Sequence, residues 1–409
     1  MKMANTIDDL KDNYWMKGKL GSGGFGTVYL IRDRLTKEYF AAKQQPWNNY
    51  KEKIYARKEA SILKKLLNPE NKFVVQFVDY FEGHNQSVIL TEFLEGDELF
   101  RRISSSKYAL TQTKCRNFAR QILNAIEFIH NRGIIHLDLK PENIVFQQNI
   151  QPKPSSFAGL IDYRQPKLCS TLVANCSTIV SIATEAPIHC EQLKIIDLGL
   201  ARDMEGRKRI PINLCGTLEY ISPEVMRCQH ASTASDMWSI GVIFYMMVTG
   251  GLSPFWAGNN LQTQKLILRG RFANKGFDNQ LFDQVPKSAI DCISRLLKVD
   301  PKIRYTSSGC LNHQWLTSDY LDNAHDVNTI ELRKYLARRR WQKLFIAIKA
   351  FNRMVQLGVL VSTHVPPNVR PELHKEVTHA TVLWGLFLLG TVSVHVRFVC
   401  NPCFSLQMI

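Results

Sequence analysis

The chain has 409 residues, of which 45% are hydrophobic and 22% are charged. This composition supports a folded core and excludes a mainly disordered, collagen-like or coiled-coil chain. The 52 Lys and Arg residues exceed the 36 Asp and Glu residues, so the formal charge is +16. A basic balance is compatible with acidic protein, nucleic-acid or anionic membrane partners and does not choose among them. The cysteines show no disulfide spacing and the start of the chain shows no signal-peptide pattern, so we expect reduced thiols in the cytosol.

The predicted elements begin with a strand, a glycine-rich turn and a second strand over residues 14–30. A helical period follows over residues 56–67, and a short apolar strand over residues 88–93. From Thr113 onward the patterns are mainly helical. Four apolar side chains there share one helix face: Phe118, Ile122, Ile126 and Ile129. Strands followed by helices predict a small sheet-rich lobe and a larger helical lobe.

The turn of the first hairpin forms a G-x-G-x-x-G-x-V loop. Glycines let a backbone close over phosphates where a Cβ would collide, although such turns also occur in ordinary hairpins. Lys43 ends the next strand and Glu59 lies on the following helix, so the lysine can hold nucleotide phosphates with the glutamate as its ion-pair partner. The residues predicted to bind the nucleotide from this side are Leu20, Gly21, Ser22, Gly23, Gly24, Phe25, Gly26, Val28, Lys43 and Glu59.

A more specific motif reads His-Leu-Asp-Leu-Lys-Pro-Glu-Asn from His136 to Asn143. Asp138 can accept the proton of a substrate hydroxyl, and Lys140 can neutralise the transferring phosphoryl group. Asn143, together with Asp197 of a later Asp-Leu-Gly, can supply oxygen ligands to Mg²⁺. This ordered set predicts phosphoryl transfer from ATP.

With these motifs, residues 14–316 resemble the eukaryotic protein kinase family. The resemblance implies an α+β, bilobal protein kinase fold, with a small β-rich N-lobe and a larger helical C-lobe. It implies a serine/threonine kinase, because Lys140 follows Asp138 by two residues and Thr217 would contact both. It also implies an ion pair between Glu224 and Arg304.

The same resemblance assigns the adenine and substrate ends of the site. Thr91 aligns beside the adenine pocket, and Glu92 to Leu94 align with the hinge, whose backbone would hold adenine. Glu98 and Glu142 match positions that recognise substrate arginines, and Glu98 is also expected near the ribose.

Three features depart from the family pattern. Leu137 replaces an Arg that would receive an activation-loop phosphate, so activation by loop phosphorylation is not expected. Leu198 replaces a Phe, and we expect it to fill much of the same pocket. Residues 147–192 form an atypical insertion rich in Pro and Cys. A surface loop of this length need not unfold the domain. The insertion could still crowd the cleft, and a gene-model or splicing artefact explains it equally well.

Residues 331–357 contain eight basic residues, one acidic residue and no Gly or Pro, so they are expected to form a helix. Four apolar side chains fall on nearly one helix face, which is a calmodulin-target or membrane-surface pattern. An ordinary packed helix with a solvated face is the alternative. Nucleic acid is not expected, because the aromatic anchors lie on the apolar stripe. The residues predicted to bind calmodulin are Arg338, Arg339, Arg340, Trp341, Phe345, Ile348 and Met354.

Together with the His-Leu-Asp motif, the Arg-Arg-Arg-Trp-Gln-Lys stretch is similar to the myosin light chain kinases. The resemblance implies phosphorylation of a serine of myosin II regulatory light chain, activation by Ca²⁺-loaded calmodulin, and a cytoplasmic protein associated with actomyosin. It also implies an autoinhibitory and calmodulin-binding segment over residues 322–357 that contains a basic regulatory helix, with autoinhibition by residues 322–340. Two alternatives stay open: a twitchin-like or death-associated kinase with another substrate, and a catalytically impaired calmodulin-binding pseudokinase scaffold.

The tail over residues 358–409 has no assigned role. Its apolar run over residues 380–394 is shorter than the ~20 residues of a usual membrane span. A weak membrane anchor, a read-through tail and an unusual packed helix are the three interpretations. Because related kinases lack such a span, we expect a soluble protein.

Overall fold

The computed structural model describes residues 5–23, 26–47, 49–148, 191–273, 277, 280–318 and 326–338. The chain divides into two compact units, residues 1–333 and residues 334–409. Residues 334–338, the described part of the second unit, are helical. The predicted calmodulin-contacting residues from Arg339 onward and the apolar run over residues 380–394 lie outside the described residues.

The small lobe is built on a six-stranded sheet with strand order β1-β5-β6-β4-β3-β2. Its strands are β1 (Asn5–Thr6), β2 (Tyr14–Gly23), β3 (Gly26–Asp33), β4 (Tyr39–Pro46), β5 (Phe77–Glu82) and β6 (Gln86–Glu92). Alternation along these strands buries one face of the sheet. The buried side chains form one cluster: Ile31, Ala42, Phe81, Val88 and Leu90. The short helix α1 (Ile7–Asn13) packs Ile7 and Leu10 against it. The predicted first hairpin and the apolar strand at residues 88–93 are therefore confirmed.

Helix α2 (Tyr50–Lys65) crosses behind the sheet. The predicted helix over residues 56–67 is confirmed, but it begins six residues earlier. Asn49 supplies the reason, since its side chain accepts a hydrogen bond from the Glu52 amide and caps the first turn. This longer helix carries Glu59 toward the sheet, where the glutamate is 4% exposed.

The large lobe is mainly helical. Its helices are α3 (Leu99–Ile103), α4 (Gln112–His130), α5 (Pro223–Met226), α6 (Thr233–Thr249), α7 (Asn260–Arg269), α8 (Lys287–Leu296), α9 (Ser307–Leu311) and α10 (Gln314–Thr317). The predicted apolar face of α4 is buried, with Phe118, Ile122, Ile126 and Ile129 each at most 1% exposed. Helix α6 forms the centre of the lobe, and its Trp238 ring stacks on Phe255 with centroids 5.0 Å apart. No helix in the described part of the chain has the length and apolar character needed to cross a bilayer.

Short strand pairs connect the lobes and shape the active-site loops. They involve β7 (Ile134–Ile135), β8 (Ile144–Phe146), β9 (Leu193–Ile195), β10 (Arg202–Asp203), β11 (Ile210–Pro211) and β12 (His230–Ala231). The antiparallel pair β8–β9 begins next to Asn143 and ends next to Asp197. This hairpin brings together two residues that are far apart in the sequence.

Residues 326–333 close the first unit. The Val327 amide donates to the Leu110 carbonyl at 2.7 Å, and the Leu332 amide donates to the Gly250 carbonyl at 3.0 Å. Thr329 is 3% exposed and Leu332 is fully buried. Helical residues begin at Ile330 and continue to Arg338, so the predicted start of a helix near Glu331 is confirmed.

Candidate active site

Lys43 is the central cation of the site. Its ammonium lies 2.7 Å from a carboxylate oxygen of Glu59 and 2.7 Å from one of Asp197. Burial lowers the pKa of Lys43, but the two carboxylates outweigh burial and raise it above its ordinary value. Burial likewise raises the pKa of the Asp197 carboxyl, yet Lys43 outweighs it and the net pKa is lowered. Lys43 is therefore a cation and Asp197 an anion at neutral pH. The predicted pair of Lys43 with Glu59 is confirmed, and the structure adds the pair with Asp197.

A residue that the sequence analysis missed completes this network. Gln45 is 9% exposed, and its amide nitrogen donates to the second carboxylate oxygen of Glu59 at 2.6 Å. Gln45 follows Lys43 by two positions on β4, so the two side chains point to the same face of the sheet. That period-two relationship is a signal that could have found it. The two donors together fix the orientation of the Glu59 carboxylate.

The glycine loop is held close to this network by sheet pairing. Val28 pairs with Lys43, and Gly21 pairs with Val28. Gly26 has φ +129, and an added Cβ there would lie 2.1 Å from the carbonyl oxygen of Gln44. Glycine at position 26 is thus required by the neighbouring strand.

At Gly21 and Gly23 an added Cβ would meet no described atom within 4 Å. Packing does not demand glycine at these two positions, which leaves clearance for phosphates as the reason for it. Ser22 and Leu20 also lie on β2, whereas Gly24 and Phe25 lie outside the described residues.

The catalytic loop places Asp138 among polar partners. Thr217 donates its hydroxyl hydrogen to one Asp138 carboxylate oxygen at 2.9 Å, and the Lys140 ammonium contacts the other. Lys140 also lies 3.3 Å from the Thr217 hydroxyl oxygen. The predicted three-residue group is confirmed. Such a carboxylate can orient a hydroxyl nucleophile and accept its proton, while Lys140 can neutralise charge that develops on a phosphoryl group.

Asp236 binds the backbone of the catalytic loop. This fully buried carboxylate accepts the backbone amides of His136 at 2.8 Å and Leu137 at 2.9 Å, and contacts the His130 ring at 2.9 Å. Burial raises the pKa of Asp236, but the hydrogen bond to His130 and the two histidine rings outweigh it and lower the net pKa. The anion holds Leu137 at φ +67, a left-handed conformation that is costly for a leucine.

Leu137 and Leu198, the two substituted motif positions, both lie in apolar surroundings. Leu198 is 1% exposed, as expected for a side chain that fills the pocket of the family's Phe. Leu137 packs against a buried cluster from the catalytic loop and activation segment: Ile135, Met204, Ile210, Ile221, Val225 and Ala231. Apolar packing therefore orders the segment that an Arg–phosphate contact would order in other kinases.

Two oxygen donors are available for a divalent cation. The Asn143 amide nitrogen donates to the Asp138 carbonyl at 2.9 Å, which orients its side-chain oxygen, and Asp197 provides a carboxylate. In the described part of the chain no group of three or more His, Cys, Asp or Glu side chains could hold a metal ion. Two protein oxygens without a full cage fit Mg²⁺, which is commonly bound through one or two protein ligands plus nucleotide phosphates and water.

The adenine side is formed by the end of β6 and the segment after it. Thr91 pairs with Ala41 across the sheet, and Glu92 is the last residue of β6. Leu94 follows in the hinge, and Glu98 precedes α3 on an exposed surface. Glu142 is half-buried in the short 3-10 helix Pro141–Asn143. The roles of Thr91, Glu92 and Leu94 toward adenine, and of Glu98 and Glu142 toward substrate arginines, stay predictions.

The insertion leaves the domain through a closed neck. The Gln147 amide donates to the Gln192 carbonyl at 2.8 Å, and Tyr108 donates its hydroxyl hydrogen to Glu191 at 2.7 Å. Residues 149–190 lie outside the described residues. The neck is at the end of the β8–β9 hairpin opposite to Asn143 and Asp197, a separation of three residues or about 10 Å along the strands.

A cavity of about 920 Å³ opens between the glycine loop, α2 and the activation segment. Its walls include Gly23, Gln45, Glu59, Gly199 and Cys215. The cavity therefore adjoins the glycine loop and the Lys43–Glu59 network.

The comparisons with known proteins agree with this geometry. The protein kinase domain family matches residues 14–316. The chain is 34% identical over 357 residues to smooth-muscle myosin light chain kinase of Gallus gallus, covering 87% of this chain and 16% of that protein. It is 33% identical over 363 residues to the skeletal/cardiac-muscle myosin light chain kinase 2 of Rattus norvegicus, covering 88% of this chain and 51% of that protein.

Solved structures of muscle kinases share the fold. The twitchin kinase region from C. elegans aligns with a TM-score of 0.67 at 26% identity, covering 83% of this chain and 51% of that chain. The autoinhibited serine kinase domain of titin aligns with a TM-score of 0.63 at 26% identity, covering 80% of this chain and 87% of that chain. The chain spans between 16% and 52% of the length of the curated relatives given by these matches.

Proposed function

Because the chain belongs to the protein kinase family, we propose that it is an active Ca²⁺/calmodulin-dependent kinase that transfers the γ-phosphate of ATP to a serine of myosin II regulatory light chain. The observation that carries the catalytic part is the complete set of charged contacts. Lys43 joins Glu59 and Asp197 at 2.7 Å each, and Asp138 is held by Thr217 at 2.9 Å. A pseudokinase scaffold would not need both groups intact.

In this proposal, one group of residues positions the nucleotide and another group accepts the substrate proton. Lys43 would hold phosphates, and Asn143 with Asp197 would hold Mg²⁺, which neutralises phosphate charge when bound. Asp138 would accept the hydroxyl proton of the substrate, with Thr217 keeping its carboxylate oriented. Lys140, with its ammonium beside Asp138, matches the arrangement expected for a serine or threonine substrate.

Calmodulin control and the light-chain substrate rest on similarity and on the basic segment. Several relatives are named myosin light chain kinases. Arg338 ends the described helical residues, and the basic amphipathic pattern continues through Met354 in the sequence. Such a helix offers apolar anchors and positive charge to the Met-rich grooves of an acidic partner. Association with cytoplasmic actomyosin follows from this proposed substrate.

The direct test is phosphate transfer to purified myosin regulatory light chain with and without Ca²⁺/calmodulin. The Asp138→Asn variant serves as the control, since it removes proton acceptance but leaves the phosphate contacts of Lys43 in place. We expect transfer that depends on calmodulin, and a loss of about 10²–10⁴-fold in the variant. Equal activity of Asp138→Asn would refute the assignment of Asp138.

A second candidate, a twitchin-like kinase with another substrate, is favoured by the structural similarity to the twitchin and titin kinases. The kinase is assayed on purified light chain and on a panel of serine peptides. Efficient phosphorylation of one peptide without phosphorylation of light chain would support this candidate. Titration of calmodulin into a peptide of residues 331–357 separates the two further. Binding weaker than micromolar in the presence of Ca²⁺, or binding unchanged by Trp341→Ala, would defeat the calmodulin proposal.

A further inference from the structure

A buried ion pair joins the hinge to the strand that leads to the metal-binding carboxylate. Lys194 lies in the middle of β9, and its side chain is 6% exposed. Its ammonium contacts both carboxylate oxygens of Glu92, at 2.6 and 2.8 Å. Glu92 is the last residue of β6 and the first of the residues that align with the hinge. A buried lysine is costly unless it is paired, so this contact holds both side chains in one geometry.

Glu92 is also bound to the chain on its other side. The Gln76 amide donates to a Glu92 carboxylate oxygen at 2.7 Å, and the Glu92 amide donates to the Gln76 carbonyl at 3.0 Å. The carboxylate is therefore oriented by the ammonium and by a backbone donor together. Its position cannot change without breaking at least two hydrogen bonds.

The third connection runs from the segment at residues 75–76 to β9. The Val75 amide donates to the Ile195 carbonyl at 3.0 Å. Glu92, residues 75–76 and residues 194–195 thus form a closed triangle in which every pair of corners is joined by hydrogen bonds. With only two of the three connections, the remaining two corners could move relative to each other. The Lys194–Glu92 pair closes the triangle and makes it rigid.

This triangle connects the adenine end of the nucleotide site to the phosphate end. One corner is the first residue of the hinge that would hold adenine, and another lies three residues before Asp197, which pairs with Lys43 at the phosphate end. We propose that Lys194 is a positioning residue: its pair with Glu92 holds the hinge and the strand before Asp197 at the spacing that one nucleotide requires. Net stability explains the pair less well, because a buried ion pair is often no more stabilising than apolar residues of similar volume.

The test compares a ligand that uses both ends of the site with a ligand that uses one. A non-hydrolysable ATP analogue with Mg²⁺ and adenosine are each titrated calorimetrically into the full chain and its Lys194→Met variant. We expect the analogue to bind about tenfold more weakly and adenosine to change by less than about twofold, because misplacement penalises only the ligand that spans both ends. Lys194→Arg, which keeps the charge, should stay within about threefold of wild type for both ligands. The assay needs no protein substrate, so it is independent of the light-chain proposal.

The controls address folding. Glu92 remains 25% exposed and bonded to Gln76, so the Lys194→Met variant is expected to fold. Glu92→Gln is the second variant, since it removes the charge and keeps an acceptor for Gln76. Arg295→Met breaks an exposed pair with Asp291 at 2.9 Å in the large lobe and should change neither affinity.

Three results would overturn the proposal. Equal weakening of both ligands would mean that the pair shapes the adenine end alone. A lower melting temperature with unchanged affinities would mean a purely structural role. Tighter binding of the ATP analogue would mean that the pair restrains the site instead of aligning it.

Discussion

The start of the regulatory segment is expected to be part of the folded kinase. The sequence analysis places autoinhibition in residues 322–340, so removal of everything from Asp322 onward would release the enzyme from calmodulin control. The structure adds a second consequence. Residues 326–333 contribute a fully buried Leu332, a buried Thr329 and two backbone hydrogen bonds to the first unit. Truncation before Asp322 removes all of these.

The cost can be worked from those contacts. Burial of one leucine side chain contributes about 1.5–3 kcal/mol. Two hydrogen bonds, from Val327 to Leu110 and from Leu332 to Gly250, contribute about 0.5–1.5 kcal/mol each. The sum is about 2.5–6 kcal/mol against a typical stability of about 5–15 kcal/mol. A domain of this size should lose roughly 4–9 °C in melting temperature, because its unfolding entropy is about 0.7 kcal/mol/K.

The assay compares a chain that ends before Asp322 with a chain that ends after Arg338, which keeps the buried Tyr335. Thermal unfolding followed by circular dichroism should show the lower melting temperature only for the shorter chain. Basal kinase activity at 25 °C is measured on both, because a destabilised chain would show low activity for a reason unrelated to autoinhibition. Equal melting temperatures would refute the reasoning that residues 326–333 belong to the kinase core.

Three further predictions concern the catalytic domain. Gly26→Ala should lower the free energy of unfolding by about 1–3 kcal/mol in denaturant titrations, because the added Cβ would collide with the Gln44 carbonyl oxygen. Gly21→Ala should weaken ATP binding without lowering the free energy of unfolding, because its Cβ meets no described atom within 4 Å. Deletion of residues 149–190 should leave the melting temperature and kinase activity nearly unchanged, since its neck is closed by a 2.8 Å hydrogen bond, and a large loss of either would show that the segment packs on the domain. Glu224→Gln should cost about 3–5 kcal/mol at pH 7 by breaking the buried pair with Arg304 at 2.8 Å. Burial raises the pKa of Glu224, but Arg304 outweighs burial, so the pKa is lower in the folded state than in the unfolded state. The stabilisation by this pair is therefore fully present above the unfolded-state pKa of ~4.3 and is lost as the pH falls through the folded-state pKa. The unfolding free energies of wild type and variant should become equal over that acid range.

The ends of the insertion change one expectation drawn from the sequence. From the sequence, some forty residues between Asn143 and Asp197 could crowd the cleft. The β8–β9 ladder directs the two ends of the insertion away from these residues, and the bond from Gln147 to Gln192 closes the neck. We therefore expect its deletion to leave activity equal, whereas an obstructed cleft would have gained activity.

The sequence by itself predicted the catalytic roles. Phosphoryl transfer uses an ammonium, a proton acceptor and metal-binding oxygens, and Lys43, Asp138, Asn143 and Asp197 present these groups in the order and spacing of the kinase motifs. Strand and helix periods likewise predicted the two lobes. These signals are local, and local periodicity is visible in a single chain.

Only the tertiary structure decided which distant groups support those roles. Gln45 fixes Glu59, Asp236 holds the catalytic loop, and Lys194 pairs with Glu92 across 102 positions. No local pattern marks a lysine in a short apolar strand as the partner of a hinge carboxylate. Such pairings arise because burial makes an isolated charge costly, so the fold must bring it an opposite charge, and which one it meets depends on how the strands pack.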